Sequence, residues 1–110
     1  MGLSTRQLFQ NHIAFTNDAP LALEIERAQG SYLFDKEGKS YVDLISGISV
    51  SNMGHSHPKI VEAVQDQAAK HMHVLVYGEL IQNSQTAYAK ALTDHLPPKL
   101  NTVYYVNSGT

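Results

Sequence analysis

The chain has 110 residues, of which 43% are hydrophobic and 16% are charged, and it contains no cysteine. That length suits one small domain, and the composition is ordinary for a soluble globular segment. Eight Lys and Arg against ten Asp and Glu leave a net charge of -2, so the chain lacks the basic surface that nucleic acid or an anionic membrane attracts. We therefore expect neither partner, and a cytoplasmic location is the default, because the chain has no disulfide framework and no long apolar run.

The first half of the sequence predicts a short helix followed by a small sheet. Ser4 with Gln7 three residues later fits a capping box at a helix start. Alternating apolar residues and β-branched or aromatic runs then predict three strands, and short turns connect them. The short connections indicate an antiparallel meander. The predicted strands are 21–26, 32–34 and 41–44, with turns at 28–30 and 35–39.

The segment 45–57 is small, polar and rich in Gly, so we expect it to be irregular. Pro58 suits the first position of a helix, because its ring presets φ and its missing N–H has no partner there. Apolar residues recur on one side of that helix at helical spacing. They are Ile60, Val61, Val64, Ala68 and Met72.

Another helix is predicted to start with Asn83 or Ser84 as its cap and to stop at Pro97 and Pro98. Its expected buried face consists of Tyr88, Ala91, Leu92 and Leu96. The run 103–106 then has the composition of a buried strand.

The last residues read as a phosphate loop. Asn107 ends the predicted strand, and Ser108-Gly109-Thr110 follows as turn chemistry. Backbone N–H groups at the start of a helix bind anions, Gly lets a phosphate approach the backbone, and the Thr hydroxyl adds a donor. The alternative interpretation is an ordinary turn after a strand. Because no helix follows, we expect the chain to be the first part of something longer.

Several motifs occur in an order that resembles one family, the class III aminotransferases that use pyridoxal phosphate. That family includes ornithine, acetylornithine and 4-aminobutyrate aminotransferases. The resemblance covers roughly residues 20–110. The matching residues are Tyr32, 35–38, 41–43, 46–48, 52–58, Ala63, Gln67 and 107–110.

The resemblance implies an α/β protein, α+β within this chain, with the N-terminal part of a fold-type I pyridoxal-phosphate transferase. Residues 1–56 would form an N-terminal arm and the three-stranded meander of the small domain. Residues 57–110 would form the helical entry and first strand of the large cofactor-binding domain. It also implies a homodimer, with a small-molecule amino donor and a 2-oxo acid as substrates.

The resemblance also assigns candidate site residues. Ser108, Gly109 and Thr110 match the family's phosphate motif, so they are expected to bind pyridoxal 5'-phosphate. Ile48 and Ser49 match a segment that faces the substrate, and Tyr77 falls near an aromatic residue of the same pocket. Core packing is the alternative for Ile48, and an interface is the alternative for Tyr77.

The resemblance assigns no catalytic residue to these 110 positions. None of the six lysines matches the motif of the lysine that carries the cofactor, and neither Arg6 nor Arg27 matches a carboxylate-binding site. Two or three charge-assisted hydrogen bonds contribute roughly 1.5–3 kcal/mol each, against roughly 4–15 kcal/mol that association costs. We therefore expect residues 1–110 alone to be inactive and to bind no cofactor.

Two other classes of function stay open from the sequence. One is a role in association without catalysis, since the meander leaves one face without cover among its own elements. Two His-x-His pairs, His55 with His57 and His71 with His73, suggest a metal-binding module. Metal binding is the weaker alternative, because the helix between the pairs would hold them roughly 20 Å apart. The other interpretation is that His55 and His57 are polar residues of a tight loop before Pro58. His71 and His73 would then lie at a helix C-terminus, where positive charge is favourable.

Overall fold

The computed structural model describes residues 2–75 and 78–108. In this part of the chain a short helix precedes a three-stranded sheet, and three further helices follow it. The elements are α1 (Thr5–His12), β1 (Ile25–Gln29), β2 (Tyr32–Asp35), β3 (Ser40–Val42), α2 (Ser46–Ser49), α3 (Pro58–Lys70) and α4 (Asn83–Thr93).

The sheet is the predicted antiparallel meander, in the order β1-β2-β3. Gln29 pairs with Tyr32, so Gly30 and Ser31 alone connect the first two strands. A bulge between Ile25 and Arg27 shifts the register of β1 against β2, which is the usual consequence of one extra residue in a strand.

The first strand was predicted at the wrong place. The sequence suggested a strand over 21–26 and a turn at 28–30, whereas β1 begins at Ile25 and runs to Gln29. Ala22 has a φ of 48°, a conformation that no regular strand contains. The alternation of apolar residues before Ile25 therefore does not reflect strand geometry.

Both long helices form close to the predicted positions. α3 begins at Pro58 as expected, and the His57 carbonyl accepts hydrogen bonds from the Ile60 and Val61 amides. For α4 the predicted cap is wrong, because the N-cap is Gln82 and neither Asn83 nor Ser84. The helix also ends at Thr93, before the two prolines.

The predicted strand at 103–106 is not a strand in the structure. A strand needs a hydrogen-bonded neighbour, and β1, β2 and β3 form the sheet of the described residues without it. The segment instead contacts α4, since the Tyr105 hydroxyl donates to the Gln85 carbonyl at 2.6 Å and the Tyr105 ring lies 6.3 Å from the Tyr88 ring.

The apolar face of α4 was expected to be buried, and among the described residues neither it nor the apolar side of α3 is buried. Within residues 2–75 and 78–108 no apolar side chain is buried, and no helix packs on another element. Met72 is 88% exposed, and Val64 and Tyr88 are also exposed. Surfaces of this kind on a folded protein normally contact another chain segment or a partner.

The chain divides into two compact units between Asp66 and Gln67. The first contains α1, the sheet, α2 and most of α3, and the second contains α4 and the segment that ends at Ser108. None of the helices in these described ranges combines the length and apolar composition that crossing a membrane requires.

The predicted capping box of α1 is present. The Gln7 amide donates to the Ser4 hydroxyl at 3.3 Å, and the Ser4 amide donates to the Gln7 side-chain carbonyl at 2.8 Å. No residue of α1 is buried, so the helix depends on this cap more than on packing.

We predict that Ser4→Ala destabilises the first turn of α1 by about 1 kcal/mol, because the Gln7 amide loses its acceptor. Hydrogen exchange of that amide should become about fivefold faster. Ser4→Asp keeps an acceptor at the same place and should exchange like the wild type. Equal exchange in wild type and Ser4→Ala would contradict this role of the cap.

Candidate functional site

The candidate phosphate loop is described only at its first residue. Ser108 lies in a bend after Asn107 and is exposed to solvent. Gly109 and Thr110 lie outside the described residues. The hydrogen bond from Tyr105 to the Gln85 carbonyl ties the chain just before the loop to α4. The assignment of Ser108, Gly109 and Thr110 to a cofactor phosphate therefore stays a prediction.

The candidate substrate residues Ile48 and Ser49 lie together in α2, which is left-handed. Four consecutive residues, Ser46 to Ser49, have φ values of 53°, 60°, 65° and 62°. The Ser49 amide donates to the Ile45 carbonyl at 3.0 Å, and the Val50 amide donates to the Ser46 carbonyl at 2.9 Å. We call residues 46–49 the left-handed turn.

This conformation is costly for every residue of the turn except Gly47. An L-residue pays roughly 1–2 kcal/mol in a left-handed helical conformation, because Cβ approaches the following carbonyl oxygen. For Ile, which is branched at Cβ, a positive φ is especially unusual. The Ile48 side chain is 85% exposed in the described structure, so its own burial there does not offset the strain.

The Asp43 carboxylate holds the start of the turn. Its Oδ1 accepts hydrogen bonds from the Ile45 amide at 3.0 Å and the Ser46 amide at 2.8 Å. Its Oδ2 lies 2.6 Å from Nε2 of His55. The two side chains are mostly buried, at 8% exposure for Asp43 and 22% for His55. One carboxylate thus serves two backbone amides and an imidazole, which was not predicted from the sequence.

The backbone fixes His55 opposite Asp43. The His55 amide donates to the Gly30 carbonyl at 2.8 Å, and the Gly30 amide donates to the His55 carbonyl at 2.9 Å. A Cβ on Gly54 would lie 3.1 Å from the Gly30 oxygen, and Gly54 has a φ of 73°. Glycine at position 54 therefore permits the close approach that joins this loop to the β1–β2 turn.

Asp43 and Asp35 are two of the carboxylates in this unit that have lowered pKa values. The hydrogen bond from His55 lowers the pKa of Asp43 most, the amides of Ser46 and Ile45 add to this, and burial opposes it. Burial would raise the pKa of Asp35, but the Tyr41 hydroxyl and the amides of the next turn outweigh it and lower the pKa. Both groups are therefore stabilised as carboxylates.

Asp35 organises the turn between β2 and β3 in the same way. Its Oδ1 accepts from the Lys39 amide at 2.9 Å and the Glu37 amide at 3.1 Å, and its Oδ2 accepts from the Tyr41 hydroxyl at 2.8 Å. Asp35 is buried, with 8% of its surface exposed. The family motif at 35–38 and 41–43 thus contains two carboxylates that each bind two backbone amides and one side chain.

The two arginines are engaged in other contacts. Arg6 Nε donates to Glu24 Oε1 at 3.0 Å, and the Arg27 guanidinium carbon lies 3.5 Å from the centre of the Phe34 ring. Arg6 is thus paired with a carboxylate of the same unit, and Arg27 lies over an aromatic ring. Tyr77, the third candidate substrate residue, lies outside the described residues.

A cleft of moderate size lies in each unit. In the first unit a cleft of about 210 Å³ lies beside α1 and the segment before β1, and Arg6 and Glu24 line it. In the second unit a cleft of about 330 Å³ is lined by Gly78, Leu80, Ile81, Gln82, Gln85, Thr86, Val103, Tyr104 and Tyr105. Neither cleft contains Ile48, Ser49 or Ser108 in its lining.

The histidine pairs bring no metal site together in the described ranges. Within residues 2–75 and 78–108 no three His, Asp or Glu side chains are grouped closely enough to hold an ion. His55 is engaged with Asp43 instead. His71 directly follows the end of α3, and its carbonyl accepts a hydrogen bond from the Gln67 side chain at 2.9 Å.

The sequence matches a known family over most of its length. The family profile described as Aminotransferase class-III covers residues 13–110. The acetylornithine aminotransferase of Aquifex aeolicus is 40% identical over 95 residues, which are 86% of this chain and 24% of that protein. The chain thus spans about a quarter of the length of this curated relative.

Solved structures give the same result for the fold. The adenosylmethionine-8-amino-7-oxononanoate aminotransferase of Methanocaldococcus jannaschii matches with a TM-score of 0.73 and 30% identity, over 84% of this chain and 22% of that one. The taurine:2-oxoglutarate aminotransferase of Bifidobacterium kashiwanohense, solved with PLP and glutamate, matches with a TM-score of 0.68 and 29% identity, over 83% and 20% of the two chains.

We predict that the Asp43 carboxyl titrates below the ordinary Asp value of about 3.9, because His55 and two amides stabilise its charged form. The stabilisation is complete above that value and is lost as the pH falls through the lowered pKa of the folded state. Carbon NMR of the Asp43 carboxyl would give the midpoint. His55→Ala should move it upward, and a midpoint unchanged by this substitution would contradict the role of His55.

Proposed function

Because this chain belongs to the class-III aminotransferase family, we propose that it is the N-terminal part of a pyridoxal-phosphate-dependent aminotransferase. The enzyme transfers an amino group from an amino acid or amine to a 2-oxo acid. The observation that supports this most is the family match over residues 13–110, which includes both the left-handed turn and the phosphate motif. Similarity over about a quarter of each relative supports the reaction class and no particular donor.

The residues at the end of the chain have the chemistry that a phosphate requires. Ser108 and Thr110 have hydroxyl groups that can donate to a phosphate, Gly109 adds no side chain that would block its approach, and Ser108 is exposed to solvent. In this proposal these three residues hold the phosphate of pyridoxal 5'-phosphate. The cofactor, when bound, supplies the electron sink that amino transfer needs.

The left-handed turn contributes the wall of the site that meets the amino donor. The exposed Ile48 side chain offers an apolar contact, and Ser49 offers a hydroxyl beside it. Tyr77 is proposed to line the same pocket. None of these residues moves a proton in the reaction, and their task is to bind and orient the donor and to exclude water around it.

The proposal includes the domain assignment and the assembly of the enzyme. Residues 1–56 form the N-terminal arm and the small-domain meander, and residues 57–110 form the entry into the large domain. The exposed apolar residues of α3 and α4 support contacts with further protein surface. A homodimer and a cytoplasmic location are further predictions of this proposal.

The natural protein that contains this sequence should bind pyridoxal phosphate with a visible absorbance band and transfer amino groups to 2-oxoglutarate. N-acetylornithine, ornithine and 4-aminobutyrate are the donors to compare. Thr110→Val removes one donor to a charged phosphate and should weaken cofactor binding about tenfold or more. Thr102→Val is the matched control, because the Thr102 hydroxyl contacts only the neighbouring Asn101 side chain among the described residues.

Residues 1–110 prepared alone should show neither the band nor the activity, since two or three hydrogen bonds do not offset the cost of association. A natural protein that binds no cofactor and transfers no amino group from any of the three donors would refute the proposed function. Dimerisation without cofactor binding would support association as the role of this chain.

We further predict that Ile48→Gly stabilises the natural protein while impairing it as an enzyme. Glycine relieves the left-handed strain of roughly 1–2 kcal/mol but loses roughly 0.5–1 kcal/mol in chain entropy, so the free energy of unfolding should rise by about 0.5–1 kcal/mol. The value of kcat/KM should fall, because the donor loses the isoleucine contact. Denaturant unfolding and steady-state kinetics measure the two effects.

Gly47→Ala is the control with the opposite sign. Gly47 has a φ of 60°, and an added Cβ would lie 3.1 Å from Cγ2 of Val50. This variant should lower the stability. If Ile48→Gly also lowered it, the left-handed strain would not be the dominant effect at position 48.

A further inference from the structure

The Asp43–His55 pair closes the segment that carries the left-handed turn. Asp43 is the first residue after β3, and His55 lies twelve residues later, shortly before α3 begins at Pro58. Their side chains meet at 2.6 Å, while the chain between them passes through the turn. The two ends of this segment are thus held together by a charged hydrogen bond that is largely shielded from solvent.

The turn needs an external restraint because its conformation is intrinsically unfavourable. Three residues with Cβ atoms, Ser46, Ile48 and Ser49, have positive φ, and each pays for this conformation. The backbone hydrogen bonds of the turn are accepted by the Ile45 and Ser46 carbonyls, but they do not favour the left hand over the right. The Asp43 carboxylate favours the left-handed conformation, because it fixes the directions of the Ile45 and Ser46 amides where the turn begins.

The orientation of the carboxylate depends in turn on His55. With Oδ1 bound to two amides, Oδ2 has His55 as its hydrogen-bond partner. His55 is itself held by the two hydrogen bonds between its backbone and Gly30. The Asp43 amide also donates to the Ser31 carbonyl at 2.9 Å, so both members of the pair are fixed to the same β1–β2 connection.

We propose that Asp43 and His55 are positioning residues that fix the left-handed turn and thereby orient Ile48 and Ser49 toward the amino donor. This inference rests on the proposed function, in which that turn meets the donor. A turn that is fixed before the donor arrives binds it at a smaller cost in ordering, and it accepts one donor shape better than others. Loss of the pair should therefore alter donor binding and selectivity before it alters the capacity for amino transfer.

The decisive comparison is between His55→Ala and His55→Gln in the natural protein. The glutamine amide can donate from about the position of Nε2, whereas alanine leaves Asp43 without that partner. His55→Ala should raise KM for the preferred donor about tenfold or more, as expected when a hydrogen bond to a charged group is lost. The ratio of kcat/KM values for N-acetylornithine and 4-aminobutyrate should change as well. His55→Gln should restore most of both values.

Asp35→Ala provides a matched control. Asp35 also binds two backbone amides and one side chain of the same unit, but in the turn between β2 and β3. This variant removes an equivalent set of hydrogen bonds without touching the segment 43–55. It should leave the donor ratio unchanged even if it lowers the overall stability.

Hydrogen exchange gives a readout that does not depend on catalysis. In His55→Ala and in Asp43→Ala, the amides of Ser49 and Val50 should exchange about fivefold faster or more, because a turn without its restraint opens more often. In Asp35→Ala these two amides should exchange as in the wild type, while the Lys39 amide becomes faster.

The outcomes separate this inference from the proposed function. An active wild type in which His55→Ala keeps the donor ratio, or in which Ser49 and Val50 exchange no faster than in Asp35→Ala, would overturn the positioning role alone. A wild type with no transfer from any donor would overturn the proposed function, and the orientation of a donor with it. If Asp43→Ala does not fold, the pair of substitutions at His55 still decides the question.

Discussion

The Asp43 carboxylate is the contact on which the segment between β3 and α3 depends. It joins the end of the meander, the start of the left-handed turn and the loop before α3 through three hydrogen bonds. Each partner is already restrained by the backbone, His55 through Gly30 and Ser46 through the turn itself. Because no apolar side chain is buried among residues 2–75 and 78–108, such hydrogen bonds, and not a hydrophobic core, define the local structure there.

The exposed apolar residues place a limit on what this chain does by itself. Ile81 is 95% exposed and Leu44 89%, and the helices α3 and α4 contact no other element in the described ranges. Class-III relatives such as the Aquifex aeolicus protein are about four times longer than the matched segment. The apolar side of α3 and the predicted buried face of α4 are therefore suited to contact with further protein surface, because exposing apolar groups to water is unfavourable.

Local signals in the sequence predicted the elements that depend on neighbouring residues. Pro58 and the helical spacing after it gave the start of α3, Ser4 with Gln7 gave the cap of α1, and short polar connections gave the meander. The errors arose where contacts with residues that are distant in the sequence determine the local structure. The run 103–106 has strand composition but lacks a partner strand in the described sheet, and Ala22 with its positive φ ends an alternation that looked like a strand.

In the candidate site, too, the sequence predicted local features but not the contacts between residues that are distant in the chain. The resemblance to the family included Asp43, Ile48, Ser49 and His55. It did not predict that Asp43 and His55 position the turn that contains Ile48 and Ser49. This arrangement requires a left-handed turn. A segment of four residues with only one glycine does not favour that conformation by itself. The strain of the turn and the Asp43–His55 pair are linked, because a turn that was stable without Asp43 would not need this restraint. Residues in such conformations persist where the surrounding contacts over-determine them, and they concentrate at sites that bind ligands. The strain of the turn is therefore an observation, separate from the family match, that supports a ligand site at this turn.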